Sequence, residues 1–277
     1  MKREKLMGWI WGSVALVVTL LVFVIPFIFI FLTATKTKED AAFLQFSLPK
    51  QFRLWENIQE VFASNDFMLV RAFGNSILLT ALSVGGLVIL CGMAAYVLER
   101  RAGGIAKVAN FFVLAGLIIP PSIVPTIFLL QSLGIYGTFP SLVGIEIAYG
   151  ASFCIMMFRA FIASIPRELD EAAVIDGAKP LRVYFSVIFP MLRSVTITAI
   201  ILNSVFIFND FTNPLYFLPG EGTETVQLTL FNFQSQYLTS YNLLFTDILL
   251  ITIPMVILFA IFNKRIVAGM TAGSVKG

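Results

Sequence analysis

Two long stretches of this chain carry no charge: no Asp, Glu, Lys or Arg lies between Arg71 and Glu99, nor between Lys107 and Glu146. Soluble domains average about 25% charged residues. Here 13% are charged and 58% hydrophobic, with a mean hydropathy of +0.90. Crossing a bilayer core takes about 20 apolar residues, so the clustering of apolar residues defines an all-α, polytopic membrane protein.

The same composition excludes several chemistries. There is no histidine, so imidazole metal sites and imidazole general bases are absent. Cys91 and Cys154 each sit inside an apolar run and read as small core hydrophobes. No Gly-Lys dipeptide occurs, hence no P-loop. The expectation is a chain with no catalytic residues, no metal and no bound cofactor, any ATP and Mg being held by partner subunits.

Six spans are expected. A basic tip at 1–5 precedes an apolar run at 8–32, too long for a signal-peptide core of about 7–15 residues. The second span is 72–98. The long neutral gap divides at the Gly- and Pro-containing turn 134–140 into spans of 108–133 and 142–163, followed by 195–218 and 243–262. This gives a tip and first helix at 1–32, an extracytoplasmic segment at 33–71, a five-helix core at 72–262 and a tail at 263–277. The core includes a cytoplasmic loop at 164–192 and an outer loop at 219–242. Of the basic residues, 14 fall on the side of the termini and only Lys36, Lys38, Lys50, Arg53 and Arg71 on the other. The positive-inside rule therefore places both termini in the cytoplasm. Insertion explains this asymmetry, and no nucleic-acid partner is expected.

The loop from Ser164 to Pro180 carries the most information. Ser164 is expected to cap a helix, Pro166 suits its first turn, and Glu168, Asp170 and Glu171 favour its positive end. Gly177 is a natural stop. Pro180 starts a second short helix expected to run to Phe189 and end at Pro190. Leu169, Ala172, Ala173 and Asp176 share a face on which another backbone can approach closely, with Glu168, Glu171 and Ile175 on the neighbouring one. Spacing alone leaves docking on a partner and packing on the chain's own membrane domain as alternatives.

This stretch resembles the EAA loop of permeases from binding-protein-dependent ABC importers, through Glu171-Ala172-Ala173, Gly177 and Val187-Ile188-Phe189-Pro190. Phe189 stands for the usual Leu and Ser194 for a common second Pro. Further motifs are similar to the carbohydrate permeases of the maltose and raffinose type. They are Asn75-Ser76, Ala94-Ala95-Tyr96 with Arg100, Ile119-Pro120-Pro121 with Pro125, the stretch Asn209-Asp210-Phe211-Thr212-Asn213-Pro214-Leu215, and the C-terminal 269–277. Phe208 departs from the usual Trp.

The resemblance implies the six-helix transmembrane domain of a type I ABC importer in a bacterial cytoplasmic membrane. Its partners would be a second, different permease, two ATPase subunits, an extracytoplasmic sugar-binding protein, lipid, and an oligosaccharide as substrate. It further implies that Glu168, Leu169, Glu171, Ala172, Ala173, Asp176 and Gly177 dock on the ATPase. The outer loop would meet the binding protein through Glu221, Glu224, Asn232, Gln234, Gln236 and Tyr237.

Asp210 is ionisable at membrane depth, which makes it a functional candidate. With Asn203, Asn209, Thr212 and Asn213 it could line a substrate pathway, since sugar hydroxyls need such donors and acceptors. The alternative is structural: Pro214 removes a backbone donor, and Asn209 and Asp210 could satisfy the freed backbone. Glu146 and Asp247 are expected to snorkel to the interface. The rival to the importer is a small homodimeric secondary transporter using Asp210 as its ion-coupling site.

Overall fold

The computed structural model describes residues 2–220, 222–234 and 239–272. In order, the helices are α1 (Lys2–Ala34), α2 (Lys38–Ala41), α3 (Leu54–Ala63), α4 (Met68–Arg100), α5 (Gly104–Ile118), α6 (Ile123–Ser132) and α7 (Phe139–Ile162). There follow α8 (Glu168–Ile175), α9 (Pro180–Val183), a π-helical turn Tyr184–Ile188, α10 (Phe189–Met191), α11 (Arg193–Phe208) and α12 (Thr212–Phe217). The chain ends with α13 (Val226–Thr229), a 3₁₀ turn Leu230–Phe233 and α14 (Tyr241–Ala272). Among the described residues there is no strand.

Among the described residues, four helical stretches are long and apolar enough to cross a membrane unbroken: Trp11–Ala34, Met68–Arg100, Phe139–Ile162 and Tyr241–Phe262. The other two expected spans are interrupted. Span three is α5 plus α6, separated at Ile119-Pro120-Pro121-Ser122. Proline cannot donate to the helical ladder and pushes its predecessor to extended geometry, and Ile119 is extended, with φ −80° and ψ 119°. Span five is α11 plus α12, with a break at 209–211.

The chain divides into two compact units, residues 1–70 with 229–254 and residues 71–228 with 255–277. In the first unit, α1 from Trp11 to Ile28 leaves its large apolar side chains exposed, as a lipid-facing helix should. Its last carbonyls, which no helical N–H can reach, are met by other elements. The buried Asn57 side chain donates to Ala34 O at 2.8 Å and Lys36 O at 2.9 Å, and Arg53 N donates to Thr35 O at 2.8 Å. Asn57 in turn accepts from Asn242 Nδ2 at 3.0 Å, and Thr246 Oγ1 donates to Ala34 O at 3.3 Å. Lys36 is fully buried, its Nζ donating to Gln45 O at 2.7 Å and Ser47 Oγ at 3.1 Å. Asp247 does not snorkel: it is fully buried and accepts from Thr229 Oγ1 at 2.7 Å.

The second unit packs around Leu87, Cys91, Cys154, Phe158, Tyr184 and Ile188. Both cysteines are buried and free. Gly92 is there because Tyr184 needs the space: a Cβ on Gly92 would run into the Tyr184 hydroxyl. The Asn-Ser pair at the start of the second span ties down the segment before α13. Asn75 Nδ2 donates to Gly222 O at 3.1 Å and Glu224 O at 3.0 Å, while Ser76 Oγ accepts from Val226 N at 2.9 Å.

Candidate functional site

The loop between α7 and α11 does form two helices around a tight turn. Its ends differ from expectation. Ser164 does not cap α8, because its Oγ donates back to Phe161 O at 2.7 Å. The helix starts at Glu168 after Arg167, and Glu168, Asp170 and Glu171 occupy its first turn. At the other end Gly177 has φ +80°, with Gly177 N donating to Val174 O and Ala178 N to Ala173 O, both at 2.9 Å. This is a Schellman stop, whose left-handed residue favours glycine.

Pro190 does not end the second helix. A π-helical turn from Tyr184 to Ile188 precedes it and helix continues to Met191, then the chain turns through 80° into α11. The widened turn bonds Phe189 N to Tyr184 O, accommodating the proline, which cannot donate to the preceding turn.

The loop is fastened to the end of α4. Tyr96 Oη donates to Asp170 Oδ1 at 2.6 Å, and Arg100 Nε lies 2.9 Å from Asp170 Oδ2, in a pair only 12% and 15% exposed. Arg100 also donates to Ile165 O at 2.9 Å, and Arg167 to Glu99 O at 3.2 Å. Arg159 pairs with Glu99 at 3.2 Å and donates to Asn110 Oδ1. The Tyr96 ring also lies 5.5 Å from that of Tyr184, whose neighbours are Phe185 at 4.9 Å and Phe189 at 5.8 Å. Tyr96 thus holds both halves of the loop. The sequence reading missed this clasp, although Asp170 with Arg100 and Tyr96 was its visible signal.

The opposite side of the loop is free in this chain. No residue of α8 is buried. Glu168, Leu169, Glu171, Ala172, Asp176 and Gly177 are exposed. Ala173 is half-buried and packs with Ala178 against the core. Three apolar residues absent from the expected docking set are exposed instead, Val174 at 60%, Ile175 at 84% and Leu181 at 62%.

A cavity of ≈ 700 Å³ opens between α7 and the α11–α12 break. Of the predicted pathway residues, Asn203, Asn209, Asp210 and Asn213 line it and Thr212 does not. Glu146, Tyr149, Phe153 and Phe206, which the sequence reading left out, also line it. Asp210 has structural work: its Oδ1 accepts from Thr212 N at 2.8 Å and Asn213 N at 3.4 Å, opening α12. Asn209 Nδ2 donates to Val205 O at 2.8 Å, and Asn209 Oδ1 accepts from Gln227 Nε2 at 3.2 Å. Asn203 Nδ2 donates to Ala199 O at 2.8 Å. Glu146 does not snorkel: it is 6% exposed and accepts from Asn213 Nδ2 at 3.2 Å.

In the segment after α12, Glu224 Oε1 accepts from Gly222 N at 3.0 Å and the residue is half-buried. Asn232 and Gln234 are exposed, and Asn232 Nδ2 lies 3.2 Å from Met68 Sδ. Glu221, Gln236 and Tyr237 lie outside the described residues.

Apolar helices long enough to cross a membrane, an exposed loop clasped to α4 and a cavity lined by Glu146, Asp210 and three asparagines fit a membrane transport protein. The chain belongs to the family of binding-protein-dependent transport system inner membrane components, whose profile matches residues 88–272. It is 31% identical over 256 residues to the melibiose/raffinose/stachyose import permease protein MelC of Bacillus subtilis, covering 91% of each chain. It is 30% identical over 262 residues to a probable starch degradation products transport system permease protein, AmyC, of Thermoanaerobacterium thermosulfurigenes, covering 94% of each. Its fold is similar to a chain of a bacterial ABC transporter involved in the import of the acidic polysaccharide alginate, with TM-score 0.81 and 20% identity over 95% of this chain and 98% of that one.

Proposed function

We propose that this chain is one of two different permease subunits of an ATP-driven carbohydrate importer, and that it couples ATPase motion to alternating access through the loop at 164–192. The observation that carries the reading is the two-sided loop. One side is clasped to α4 through Asp170, and the other leaves Leu169, Ala172, Val174, Ile175 and Leu181 exposed. An exposed apolar patch rimmed by charge marks an interaction surface. Glu168, Glu171 and Asp176 supply that rim and favour a basic surface on the ATPase. Asp170, held to α4, lets the helix transmit a push instead of swivelling.

The chain binds no nucleotide itself; ATP and Mg sit on the two ATPase subunits. Both termini and the coupling loop face the cytoplasm, and the segment carrying Glu224, Asn232 and Gln234 faces the sugar-binding protein outside. The cavity at the α11–α12 break forms this subunit's wall of the pathway. Its volume falls in the range of small-molecule sites, about 300–1,000 Å³. Asn203, Asn209 and Asn213 suit sugar hydroxyls, and Phe153 and Phe206 offer exposed ring faces. Names of relatives that cite raffinose, stachyose and starch products favour an oligosaccharide.

Sugar-stimulated ATP hydrolysis by the reconstituted complex, with its partner permease, ATPase and binding protein, tests the reading. Glu171→Arg combined with Gly177→Asp should abolish stimulation while the membrane subunits still assemble. Normal coupling in that variant, or solute movement without any ATPase, would make the loop mere packing.

A further inference from the structure

The cavity's lining is lopsided in charge. It holds two carboxyl side chains, Glu146 and Asp210, three carboxamides and several aromatic rings, and no Lys or Arg. The sequence extends the observation beyond the lining. The whole of 108–158, which includes most of α7, and the whole of 194–263, which includes the rest of α11 and α12, contain no basic residue. The bases these helices carry lie at their ends, Arg159 in the last turn of α7 and Arg193 at the start of α11. Neither arginine lines the cavity, and Arg159 is already held by Glu99 and Asn110.

The two acids are also fixed in place. Glu146 accepts from Asn213, and Asp210 accepts from the backbone N–H groups that open α12. Neither side chain can swing away without leaving a donor unpaired, which is costly inside a membrane. An anion entering such a space meets carboxyl oxygens in a medium that screens poorly and finds no cation in the lining to compensate for its lost hydration. An uncharged polyol meets acceptors, amide donors and ring faces that suit it.

Resting on the carbohydrate-importer reading above, we infer that this cavity selects uncharged saccharides and turns away anionic ones such as uronates. Glu146 and Asp210 are its specificity-determining residues. The fold neighbour is a transporter of an acidic polysaccharide, so the shared fold does not itself dictate the charge of the cargo.

The test uses the assembled complex of this chain with its partner permease and ATPase subunits. Equilibrium binding is measured without the binding protein, and uptake into proteoliposomes with it. Probes are matched pairs: melibiose, raffinose or maltotriose, and the same sugar with a primary alcohol oxidised to a carboxylate. The oxidised member should bind about tenfold more weakly or worse, the size expected from an unscreened like-charge contact. In Asp210→Asn with Glu146→Gln, the neutral-to-anionic ratio should fall several-fold. Partner-subunit contributions cancel in that comparison. Asp210→Asn alone keeps an oxygen for the α12 cap and yields the same ratio should the double variant fail to assemble. Equal binding of both members, or a ratio unmoved by the variants, overturns the inference and leaves the importer reading standing. If no saccharide of either kind binds or is taken up, the importer reading falls and this inference with it.

Discussion

The Tyr96 hydroxyl donates to Asp170 at 2.6 Å, joining the last turns of α4 to the first turn of α8. The contact bridges 74 residues of sequence. With Arg100 on the other carboxylate oxygen, it fixes where the exposed helix stands.

Removing this clasp should uncouple transport before it unfolds the protein. Asp170→Asn keeps a hydrogen-bond partner for Tyr96 but takes the carboxylate away from Arg100 Nε, leaving the guanidinium its bond to Ile165 O, a loss of about 1–3 kcal/mol. Sugar-stimulated ATP hydrolysis should fall several-fold while the subunits still co-purify. Full stimulation in this variant would show that the clasp has no part in coupling.

The exposed apolar residues of the loop predict the opposite pattern. Ile175→Asp with Leu181→Asp changes two largely exposed side chains, so expression and thermal stability in detergent should be unchanged within about 0.5 kcal/mol. Co-purification of the ATPase should be lost, since central apolar anchors contribute about 2 kcal/mol or more each at interfaces.

Gly92 and Tyr184 should behave as a pair. Gly92→Ala forces a Cβ toward the buried Tyr184 hydroxyl and should destabilise by about 1–3 kcal/mol. Tyr184→Phe removes the obstructing oxygen, which has no hydrogen-bond partner in this structure, so the double variant should recover most of the loss. A melting series of the four proteins checks it: strictly additive effects would contradict the contact.

In the first unit, Asn57→Leu removes two donors from the carbonyl end of α1 and strands the Asn242 amide. A loss of about 2–4 kcal/mol is expected, three buried hydrogen bonds being broken without replacement. Urea or thermal unfolding in detergent measures it.

Much of this architecture was legible in the sequence because charge depletion is a one-dimensional signal. The charge-free run 72–98 maps directly onto α4, and Gly177 onto a left-handed stop. The two interrupted spans were not legible as interruptions. Pro120-Pro121 stood in plain view, yet mean hydropathy sees apolar residues and not the missing N–H. Glu146 and Asp247 were misread for a related reason. Distance from a helix end predicts snorkelling, while burial depends on partners such as Asn213 and Thr229 that only tertiary packing supplies.

The gap between α5 and α6 has one more consequence. At 1.5 Å per residue, helices of 15 and 10 residues reach about 22 Å and 15 Å, short of a hydrocarbon layer about 30 Å thick. Neither can cross alone, so the break between them lies at membrane depth. Pro120 and Pro121 have no N–H to give, so Gly116 and Leu117 lose their usual helical donors and their carbonyl oxygens are surplus. Hydrocarbon supplies no donor for them. The third span therefore has a wet or protein-covered side written into its backbone, whatever its side chains say, and that side is the one flank of this helix pair that lipid cannot occupy.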